Sequence, residues 1–452
     1  MSELFDRRQF LGAGITAAAA LSAAGAPNTV SRPNVVFITT DQQRHDSLGC
    51  NGNDLAATPN LDALAAGGVN FSSCYVTQPV CSPCRSSLVT GQYPHRTGVI
   101  DNNIPLIDHS TSFPRLLHQA GYRTGFIGKW HLGPKGEGNS VAPPPAYFDE
   151  WQGYDTGASF WMGKTRGKTW KVSSNSNAVP DFQGPEPGPY RTDFETDQAI
   201  DFLKRNQKGP FFLWLSIYPP HSPWTAPLEN CLRFKDKSPY PTYFGMINRI
   251  DDNIGRLLAT LSQLGLRENT VVAFSADHGH NLVQRWNSHG KRLCYDSSAR
   301  VPLIMSWKGQ FRTGARSQLI SSADIGPTLL DVCGVQVPSA VHGRSAKSVL
   351  SDPASRGRDF VVIQNRPYQK VSQGMFERCV VTADWKLILN TERAPELFNR
   401  KSDPAEEKNL YADPSTSGVR AELLKKLDTW AWEVNDGLAL SSWLRGKADD
   451  ES

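Results

Sequence analysis

Unbroken apolar runs constrain the fold of this chain more than any other feature of its sequence. The first is residues 34–40, Asn-Val-Val-Phe-Ile-Thr-Thr, which lacks the polar–apolar alternation of a half-exposed strand. Residues 210–218 and 270–276 have the same character. Such strands are typical of parallel sheets that are covered on both faces. Because helical segments alternate with these runs, we predict a doubly wound α/β domain with a large parallel or mixed sheet flanked by helices.

Helices are predicted between the apolar runs. Thr58 and Pro59 are typical of an N-cap and of a first helical position. Further helices are predicted at residues 113–121, 194–206, 243–263 and 420–432, and further strands at residues 122–127 and 300–305.

A long segment, residues 134–190, is rich in Pro, Gly, Ser and Asn and predicts a loop or insertion. Its tryptophans are interpreted as packing residues of an irregular lid, with a sugar-binding platform as the alternative. They are Trp151, Trp161 and Trp170.

The character of the sequence changes near residue 360. Residues 360–364 and 379–389 predict antiparallel strands, with a hairpin turn at Ala383-Asp384. The predicted domains are a catalytic α/β domain at residues 33–358 and a C-terminal subdomain, a small antiparallel sheet with one helix, at residues 359–452.

The first 26 residues have the features of an export signal. A charged start with Arg7-Arg8 precedes a short alanine-rich run and the small residues Ala24-Gly25-Ala26. The pair Arg7-Arg8 followed by Phe10-Leu11 is typical of a twin-arginine signal. A membrane anchor is the alternative, but the apolar run is shorter than the ~20 residues that a span needs. We therefore predict cleavage after Ala26 and export by the twin-arginine machinery, to the bacterial periplasm or medium, with no membrane span elsewhere.

Charge and cysteine content exclude two classes of protein. The formal net charge of +4 over 452 residues is too small to favour nucleic acid or an anionic membrane as a partner. Eight cysteines in a chain of this length do not form a disulfide scaffold, and no pairing follows from the sequence.

The segment of residues 79–91 carries a reactive pattern. Cys81 is followed by Pro83 and Arg85. Proline suits the first turn of a helix, so Cys81 is predicted at a helix N-terminus, where free N–H groups and the helix dipole favour negative charge. Arg85 lies one turn further on and can hold an oxyanion. Cys81 and Cys84 also form a Cys-x-x-Cys pair, so a redox pair or half of a metal site is the alternative.

This pattern resembles the signature of the type I sulfatases of the alkaline phosphatase superfamily, in which Cys-x-Pro-x-Arg marks a cysteine that is oxidised to formylglycine. Gly128-Lys129-Trp130-His131-Leu132-Gly133 resembles a second sulfatase signature. Considered alone, Lys129 would be interpreted as a surface charge and His131 as a core histidine. The resemblance covers residues 33–410. It implies that Cys81 becomes the nucleophile of a sulfate-ester hydrolase, through the action of a formylglycine-generating enzyme.

Polar residues follow two of the predicted strands directly. Asp41 follows residues 34–40, and Asp277-His278 follows residues 270–276. Ligands bind at this edge of open α/β sheets, and oxygen ligands with one imidazole suit a hard divalent cation. The resemblance implies one calcium ion, and the predicted ligands are Asp41, Gln42, Cys81 as formylglycine, Asp277 and His278.

The chain departs from the family pattern at three positions, Cys84, Gln42 and His278. Cys84 stands where Ser, Ala or Thr is usual, which leaves open a disulfide with Cys81. Gln42 replaces a second acid and His278 replaces the commoner Asn. The related phosphonate monoester hydrolases share both of these replacements, and the lower ligand charge leaves manganese or another ion as an alternative.

The resemblance also implies roles for basic residues. Arg85, Lys129 and Lys291 would surround the developing negative charge, and His131 would take a proton from the aldehyde hydrate. His221 and Lys291 would bind sulfate and protonate the leaving oxygen. The predicted catalytic residues are Cys81, Arg85, Lys129, His131, His221 and Lys291, and the further residues expected to line the pocket are His280, Arg285 and His289.

The sequence therefore predicts an exported sulfatase. Sulfated sugars or glycans are the favoured substrates, with aryl sulfates and choline sulfate as alternatives. Two other functions stay open. One is a phosphodiesterase or phosphonate monoester hydrolase on the same fold, and the other is a non-catalytic sulfoconjugate-binding protein whose cysteine is never converted.

Overall fold

A nine-stranded sheet lies at the centre of the described part of the chain. The computed structural model describes residues 32–134, 144–156, 160–162, 188–282, 290–366, 376–441 and 444. The predicted features that lie outside these residues are the signal at residues 1–26, Trp170, Arg285 and His289. The strands of the sheet are β1 (Asn34–Thr40), β2 (Val69–Tyr75), β3 (Arg123–Lys129), β4 (Glu150–Tyr154), β5 (Phe211–Ile217), β6 (Thr270–Ala276), β7 (Arg300–Ser306), β8 (Gly314–Arg316) and β9 (Ile320–Ser321).

The strand order is β4-β3-β5-β1-β6-β7-β2-β8, and β9 also pairs with β2. Five neighbouring strands, from β4 to β6, are parallel, while β7 is antiparallel to both β6 and β2. The register places Thr40 of β1 beside Ile217 of β5 and Ala276 of β6, so these strands end at the same edge.

Helices cover both faces of this sheet. Val35 and Phe37 of β1 belong to one hydrophobic core, and Val36 and Ile38 belong to the core on the opposite face. The first core contains residues of α2, α4 and α9, and the second contains residues of α1, α5 and α7, which confirms the doubly wound prediction. The helices are α1 (Pro59–Ala66), α2 (Cys81–Thr90), α3 (Pro94–Thr97), α4 (Phe113–Gln119), α5 (Arg191–Arg205), α6 (Leu228–Leu232), α7 (Pro241–Gln263), α8 (Asp296–Ala299), α9 (Ile325–Val332), α10 (Lys347–Ser351) and α11 (Ser417–Val434).

A second sheet is antiparallel, in the order β10-β11-β12-β13. Residues of α11, including Leu427 and Trp430, share a hydrophobic core with Val380 of β11 and Leu387 of β12. The predicted turn at Ala383-Asp384 is confirmed between β11 and β12, and the domain boundary at residue 359 stays a prediction. The strands are β10 (Val361–Asn365), β11 (Glu377–Val381), β12 (Trp385–Asn390) and β13 (Glu396–Asn399).

The structure corrects one local prediction and confirms another. Residues 134–190 do not form only a loop, because they contain β4, which pairs in parallel with β3. Thr58 stands at the N-cap of α1 but makes no side-chain capping bond. Its hydroxyl accepts the backbone N–H of Gly49 at 2.9 Å and donates to Asp62 Oδ1 at 3.1 Å. The predicted N-cap position is therefore confirmed, while the hydroxyl bonds to Gly49 and Asp62 rather than to a free N–H group at the helix start.

The tryptophans of this segment pack against other aromatic side chains. Trp151 stacks on Phe126 with ring centroids 4.7 Å apart, and Trp161 meets Tyr190 edge-on at 5.2 Å. The packing interpretation is confirmed for both. None of the helices in the described residues is long and apolar enough to cross a membrane.

Candidate active site

Four adjacent parallel strands deliver polar side chains to one edge of the sheet. Lys129 is the last residue of β3, His221 follows β5, Asp41 follows β1 and Asp277 follows β6. The strand order β3-β5-β1-β6 brings these ends side by side. The backbone N–H of Asp277 donates to Thr40 O at 3.0 Å, which extends the β1–β6 pairing to the two aspartates. The predicted grouping of residues at strand ends is therefore confirmed.

Cys81 is the first residue of α2, as the proline two residues later predicts. Its side chain is fully buried. The sulfur lies 3.1 Å from Lys291 Nζ, 3.2 Å from His278 Nε2 and 3.7 Å from Asp41 Oδ1. Residues from four distant parts of the sequence thus meet at one sulfur atom.

Cys84 faces away from this group. Its sulfur lies 3.7 Å from Ser322 Oγ, and all eight cysteines, which lie in the described ranges, are free thiols. Burial, and then the charge of Asp277, raises the pKa of Cys84 well above its usual value. The Cys-x-x-Cys segment therefore forms no disulfide in this structure, and Cys84 is a buried, protonated side chain.

Arg85 and Lys129 bind the outer oxygens of the two carboxylates. Lys129 Nζ donates to Asp41 Oδ2 at 2.6 Å, and Arg85 Nη2 donates to the same oxygen at 3.1 Å. Arg85 Nε donates to Asp277 Oδ2 at 2.9 Å, and its Nη1 donates to Lys129 O and Ser216 Oγ. Lys129 is fully buried, so its interpretation as a surface charge is wrong.

The remaining donor atoms of this cluster face one another. Ligand atoms of Asp41, Cys81, Asp277 and His278 all lie within 4.8 Å of one another. His278 Nδ1 lies 2.8 Å from Gly279 O, which accepts its hydrogen, so Nε2 is the ring nitrogen that faces the cluster. Two carboxylates, one imidazole and the side chain at position 81 are a donor set that fits a divalent cation.

Gln42 lies beside these four residues. It is buried, its φ is +65°, and its backbone N–H donates to Asp277 Oδ1 at 3.2 Å. Its amide oxygen accepts the backbone N–H of Ser222 at 3.5 Å. Gln42 thus braces Asp277 and the turn after β5, and its predicted role as a metal ligand stays a prediction.

The surroundings of Asp41 and Asp277 shift the pKa values of the two carboxyl groups in opposite directions. Burial raises the pKa of Asp41, but the cations Lys129 and Arg85 outweigh burial and hold it below its usual value. Burial, and then the nearby charge of Asp41, raises the pKa of Asp277 to about 6. Asp41 is therefore the carboxylate that stays ionised over the wider range of pH.

The same cations act on Cys81. Burial raises the pKa of its thiol, but the charges of Lys129, Lys291 and His278 lower it well below its usual value. A negative charge is therefore favoured at this position before any modification.

Three histidines surround the cluster. His131 is buried, and burial followed by the charge of Lys129 lowers its pKa to about 4. His221 stacks on Tyr218 at 4.9 Å, with Nε2 4.0 Å from Asp41 Oδ1, and burial lowers its pKa. His280 packs 5.3 Å from the Trp224 ring, and burial, followed by the charge of His278, lowers its pKa to about 3. All three rings are therefore biased towards the neutral form.

The sequence and the fold both match known proteins. Residues 33–335 match the Sulfatase family, and residues 284–432 match the family described as N-sulphoglucosamine sulphohydrolase, C-terminal. The chain belongs to the sulfatase family. It is a hydrolase of sulfate esters, and the resemblance inferred from the two signatures is confirmed.

Relatives of this sulfatase match nearly the whole chain. It is 30% identical over 462 residues to the sulfatase YidJ of Escherichia coli (strain K12), covering 92% of this chain and 90% of YidJ. It is 27% identical over 536 residues to the N-acetylglucosamine-6-O-sulfatase of Bacteroides thetaiotaomicron, covering 92% of this chain and 90% of that protein.

Solved structures share the fold. A sulfatase yidJ structure from Bacteroides fragilis has a TM-score of 0.76 at 25% identity and covers 91% of this chain and 98% of its own. The phosphonate monoester hydrolase of Agrobacterium radiobacter has a TM-score of 0.72 at 22% identity, covering 89% and 96%. The fold is therefore common to both enzyme classes.

Sequence reasoning missed several polar residues that support the site of this sulfatase. Ser216 interrupts the apolar strand β5, and its hydroxyl donates to Lys129 O at 2.6 Å. The ring of Tyr218 lies 5.0 Å from Lys129 Nζ. A serine inside a run such as Phe-Phe-Leu-Trp-Leu-Ser-Ile is a usable signal, because a buried hydroxyl needs a partner. Asn102 Oδ1 accepts the backbone N–H of Ser82 at 3.0 Å, and Asn103 Oδ1 lies 3.3 Å from His131 Nε2, but neither asparagine carried a comparable signal in the sequence.

Proposed function

We propose that this sulfatase removes sulfate from sulfated sugars with a formylglycine nucleophile made from Cys81. The observation that carries this proposal is the sulfur of Cys81 at the start of α2, 3.1 Å from Lys291 Nζ and 3.2 Å from His278 Nε2. A nucleophile at this point lies between a cation and the candidate metal ligands. The relative named N-acetylglucosamine-6-O-sulfatase supports a sugar substrate.

Two groups complete the proposed chemistry. Hydrated formylglycine supplies one hydroxyl that attacks sulfur and a second whose deprotonation lets sulfate depart. Asp41, Gln42, Asp277 and His278, together with the residue at position 81, would hold a divalent cation, for which we propose calcium. The cation would supply Lewis-acid polarisation of a sulfate oxygen.

The three cations of the site, Lys129, Arg85 and Lys291, have different proposed roles. Lys129 and Arg85 hold the outer oxygen of Asp41, which keeps its other oxygen directed at the cluster. Lys291 instead contacts the sulfur of Cys81, so it lies where a sulfate group would arrive and opposes the charge that develops on sulfate. Binding and charge stabilisation are thus assigned to Lys291, and positioning to Lys129 and Arg85.

The histidines are proposed as proton carriers. His131 takes a proton from the side chain at position 81, and its lowered pKa leaves it free to accept one. His221 lies on the turn after β5 and gives a proton to the leaving sugar oxygen, and the charge of Asp41, 4.0 Å from its Nε2, acts against burial to favour the protonated ring that this step needs.

Phosphonate monoester hydrolysis is the second candidate, favoured by Gln42, which stands in place of an acid. The described site has two carboxylates, Asp41 and Asp277, against three fixed cations, so it suits a singly charged phosphonate monoester or phosphate diester as well as a singly charged sulfate ester. Comparison of kcat/KM for sulfate monoesters and phosphate diesters distinguishes the two. We expect sulfate esters to be the better substrates, and a preference for the diester would establish the second candidate instead.

The central experiment tests residue 81 and the substrate together. The protein is produced with a formylglycine-generating enzyme, and residue 81 is examined by peptide mass spectrometry and an aldehyde reagent. The purified protein is then assayed on sulfated amino sugars, 4-nitrophenyl sulfate and choline sulfate. We expect an aldehyde at Cys81, none at Cys84, and the highest kcat/KM on a sulfated sugar.

Two controls accompany this experiment. Cys84→Ser keeps the aldehyde and the activity, whereas Cys81→Ala loses both. Full activity with residue 81 entirely as a thiol contradicts the nucleophile. An intact site that binds sulfated sugars without any turnover or aldehyde identifies a non-catalytic binding protein.

Export is proposed from the first 26 residues. N-terminal sequencing of the mature protein tests the proposed cleavage after Ala26. Changing Arg7 and Arg8 together to lysine is expected to retain the protein in the cytoplasm. Unchanged export of that variant contradicts the twin-arginine route.

A further inference from the structure

The tripeptide Asp101-Asn102-Asn103 bonds to three separate parts of the active site. Asp101 Oδ1 accepts a hydrogen bond from Arg292 Nη2 at 2.8 Å, and Asn102 Oδ1 accepts the backbone N–H of Ser82 at 3.0 Å. Asn103 Oδ1 lies 3.3 Å from His131 Nε2. Each partner is a proposed catalytic residue or its direct neighbour in the chain. The tripeptide therefore links segments that are otherwise far apart in sequence.

The contact with Asn103 fixes the hydrogen on the His131 ring. An amide oxygen has no hydrogen to give, so the ring nitrogen that faces it must be the donor. A neutral imidazole carries one N–H, so a hydrogen on Nε2 leaves Nδ1 as a bare lone pair. The contact with Asn103 therefore favours the tautomer with its hydrogen on Nε2.

The other ring nitrogen is buried and available. His131 Nδ1 has no partner with hydrogen-bond geometry among the described residues. The backbone oxygen of the same residue accepts a hydrogen bond from Ser82 Oγ at 2.8 Å, so His131 is held beside the residue that follows Cys81. A buried acceptor without a donor is costly, and enzymes keep such groups where a reacting proton arrives.

The backbone holds both partners in an uncommon conformation. His131 has φ +57° and Asn103 has φ +62°, in the left-handed region that few residues other than glycine adopt. Ser82 Oγ also donates to His131 O at 2.8 Å. Strain of this kind persists where the surrounding contacts determine it, and here those contacts lead to the residue next to Cys81.

We propose that Asn103 is a positioning residue: its amide oxygen holds the hydrogen of His131 on Nε2 and so keeps Nδ1 as a bare, buried acceptor for the proton that, in the proposed function, the side chain of residue 81 gives up. The proton leaves an O–H or S–H group of that side chain, whose bonding electron pair stays on the O or S atom. The identity of the acid rests on the proposed function, whereas the tautomer does not.

The test uses a matched pair of variants at position 103. Asn103→Gly removes the acceptor but suits a positive φ, so backbone strain does not confuse the result. Asn103→Asp keeps an acceptor oxygen and also tolerates the left-handed region. The readout is the 15N NMR spectrum of the full mature protein labelled at histidine, with the signals of His131 assigned by their loss in His131→Gln.

We expect the wild type and Asn103→Asp to carry the hydrogen on Nε2, with Nδ1 bare. In Asn103→Gly the two nitrogens should average between tautomers. By analogy with partners that orient metal-bound histidines, kcat on a sulfate ester should fall about 10- to 100-fold in Asn103→Gly with KM little changed, and Asn103→Asp should recover most of kcat.

Contrary results are equally specific. A hydrogen on Nδ1 in the wild type overturns the proposal, and so does an unchanged tautomer with unchanged kcat in Asn103→Gly. If the glycine variant does not fold, the wild-type spectrum alone decides the tautomer. A wild type that holds the predicted tautomer but hydrolyses no sulfate ester refutes the proposed function and leaves the role of Asn103 in setting the tautomer intact.

Discussion

The active site and a second buried group of charges, the Lys386 cluster, contain the same kinds of side chain but distribute their hydrogen bonds differently. The Lys386 cluster consists of Asp296, Lys386 and Glu406. Lys386 Nζ donates to Asp296 Oδ1 at 2.7 Å and to Glu406 Oε1 at 2.6 Å. Asp296 Oδ2 accepts from the hydroxyl of Tyr75, and Glu406 Oε2 accepts from the backbone N–H of Asp296. All four carboxylate oxygens therefore have donors from the chain itself.

In the active site, one carboxylate oxygen, Asp41 Oδ1, has no N–H or O–H donor among the described residues. Asp41 Oδ2 receives Lys129 and Arg85, but within the described residues Asp41 Oδ1 has only the sulfur of Cys81, at 3.7 Å, as a hydrogen-bond partner. His278 Nε2 also faces the cluster. The inner atoms of this site are therefore possible metal ligands that face one another.

The difference separates a structural ion cluster from a ligand site. Burying charge is costly unless every charged group is paired. The paired Lys386 cluster therefore has a structural role, since it connects α8, through Asp296, with β12, through Lys386. A cluster of inward-facing ligand atoms is instead stabilised when a cation binds among them. The following changes test that contrast, from the largest expected effect to the smallest.

Removing one inner acceptor should abolish function without unfolding the protein. Asp277→Ala is expected to lose its metal and at least about 10³-fold in kcat/KM, because both the ligand and the anchor of Arg85 disappear. Elemental analysis and kinetics on one sulfate ester measure both. Asp296→Ala is the control, and it should keep its metal while losing stability. Full metal occupancy in Asp277→Ala contradicts the assignment of this ligand.

Removing the central lysine of each cluster should have opposite consequences. Lys386→Met removes the cation that bonds both buried carboxylates, leaving Asp296, among the described residues, only the ion pair with Arg300 at 3.5 Å, and should lower the free energy of unfolding by about 3–5 kcal/mol. Lys129→Met should cost less stability, since Arg85 still binds Asp41, but should lower activity more. Denaturant unfolding and kcat/KM of both variants give the comparison. Equal loss of stability in the two would remove the distinction between the clusters.

At the rim of the active site, His221→Ala should discriminate between leaving groups. A general acid contributes about 10²-fold or more to loss of a poor leaving group and little to a phenolate. We expect kcat/KM to fall by that factor on a sugar sulfate and much less on 4-nitrophenyl sulfate. The same loss on both substrates would exclude His221 as the acid.

The smallest effect is expected at Gln42. Gln42→Ala keeps the backbone N–H that donates to Asp277 Oδ1, so only the amide side chain is lost. A decrease of about tenfold in metal affinity is expected, in the range seen for residues that support metal ligands. Metal titration of the purified protein measures it. Loss as severe as that in Asp277→Ala would make Gln42 a principal ligand.

Much of the fold could be predicted because its determinants are local. The run at residues 34–40 became β1 with unchanged bounds, and other predicted helices and strands differ from the observed ones by no more than three residues at either end. Apolar runs, proline at helix starts and glycine at helix ends act over a few neighbours. The short strand β4 was missed for the same reason, since its burial comes from pairing with β3 and from Phe126 rather than from its own composition.

The sequence by itself determined which residues are available for chemistry. It determined that Cys81 and Arg85 share one helix, one turn apart, and that Asp41 and Asp277 each follow a buried strand. Only the tertiary structure decided that Arg85 binds those two aspartates, that Lys291 faces the sulfur of Cys81, and that Asn103 meets His131. These contacts join residues 28 to 210 positions apart. Their geometry follows from the order and direction of the strands, and spacing along the chain does not encode it.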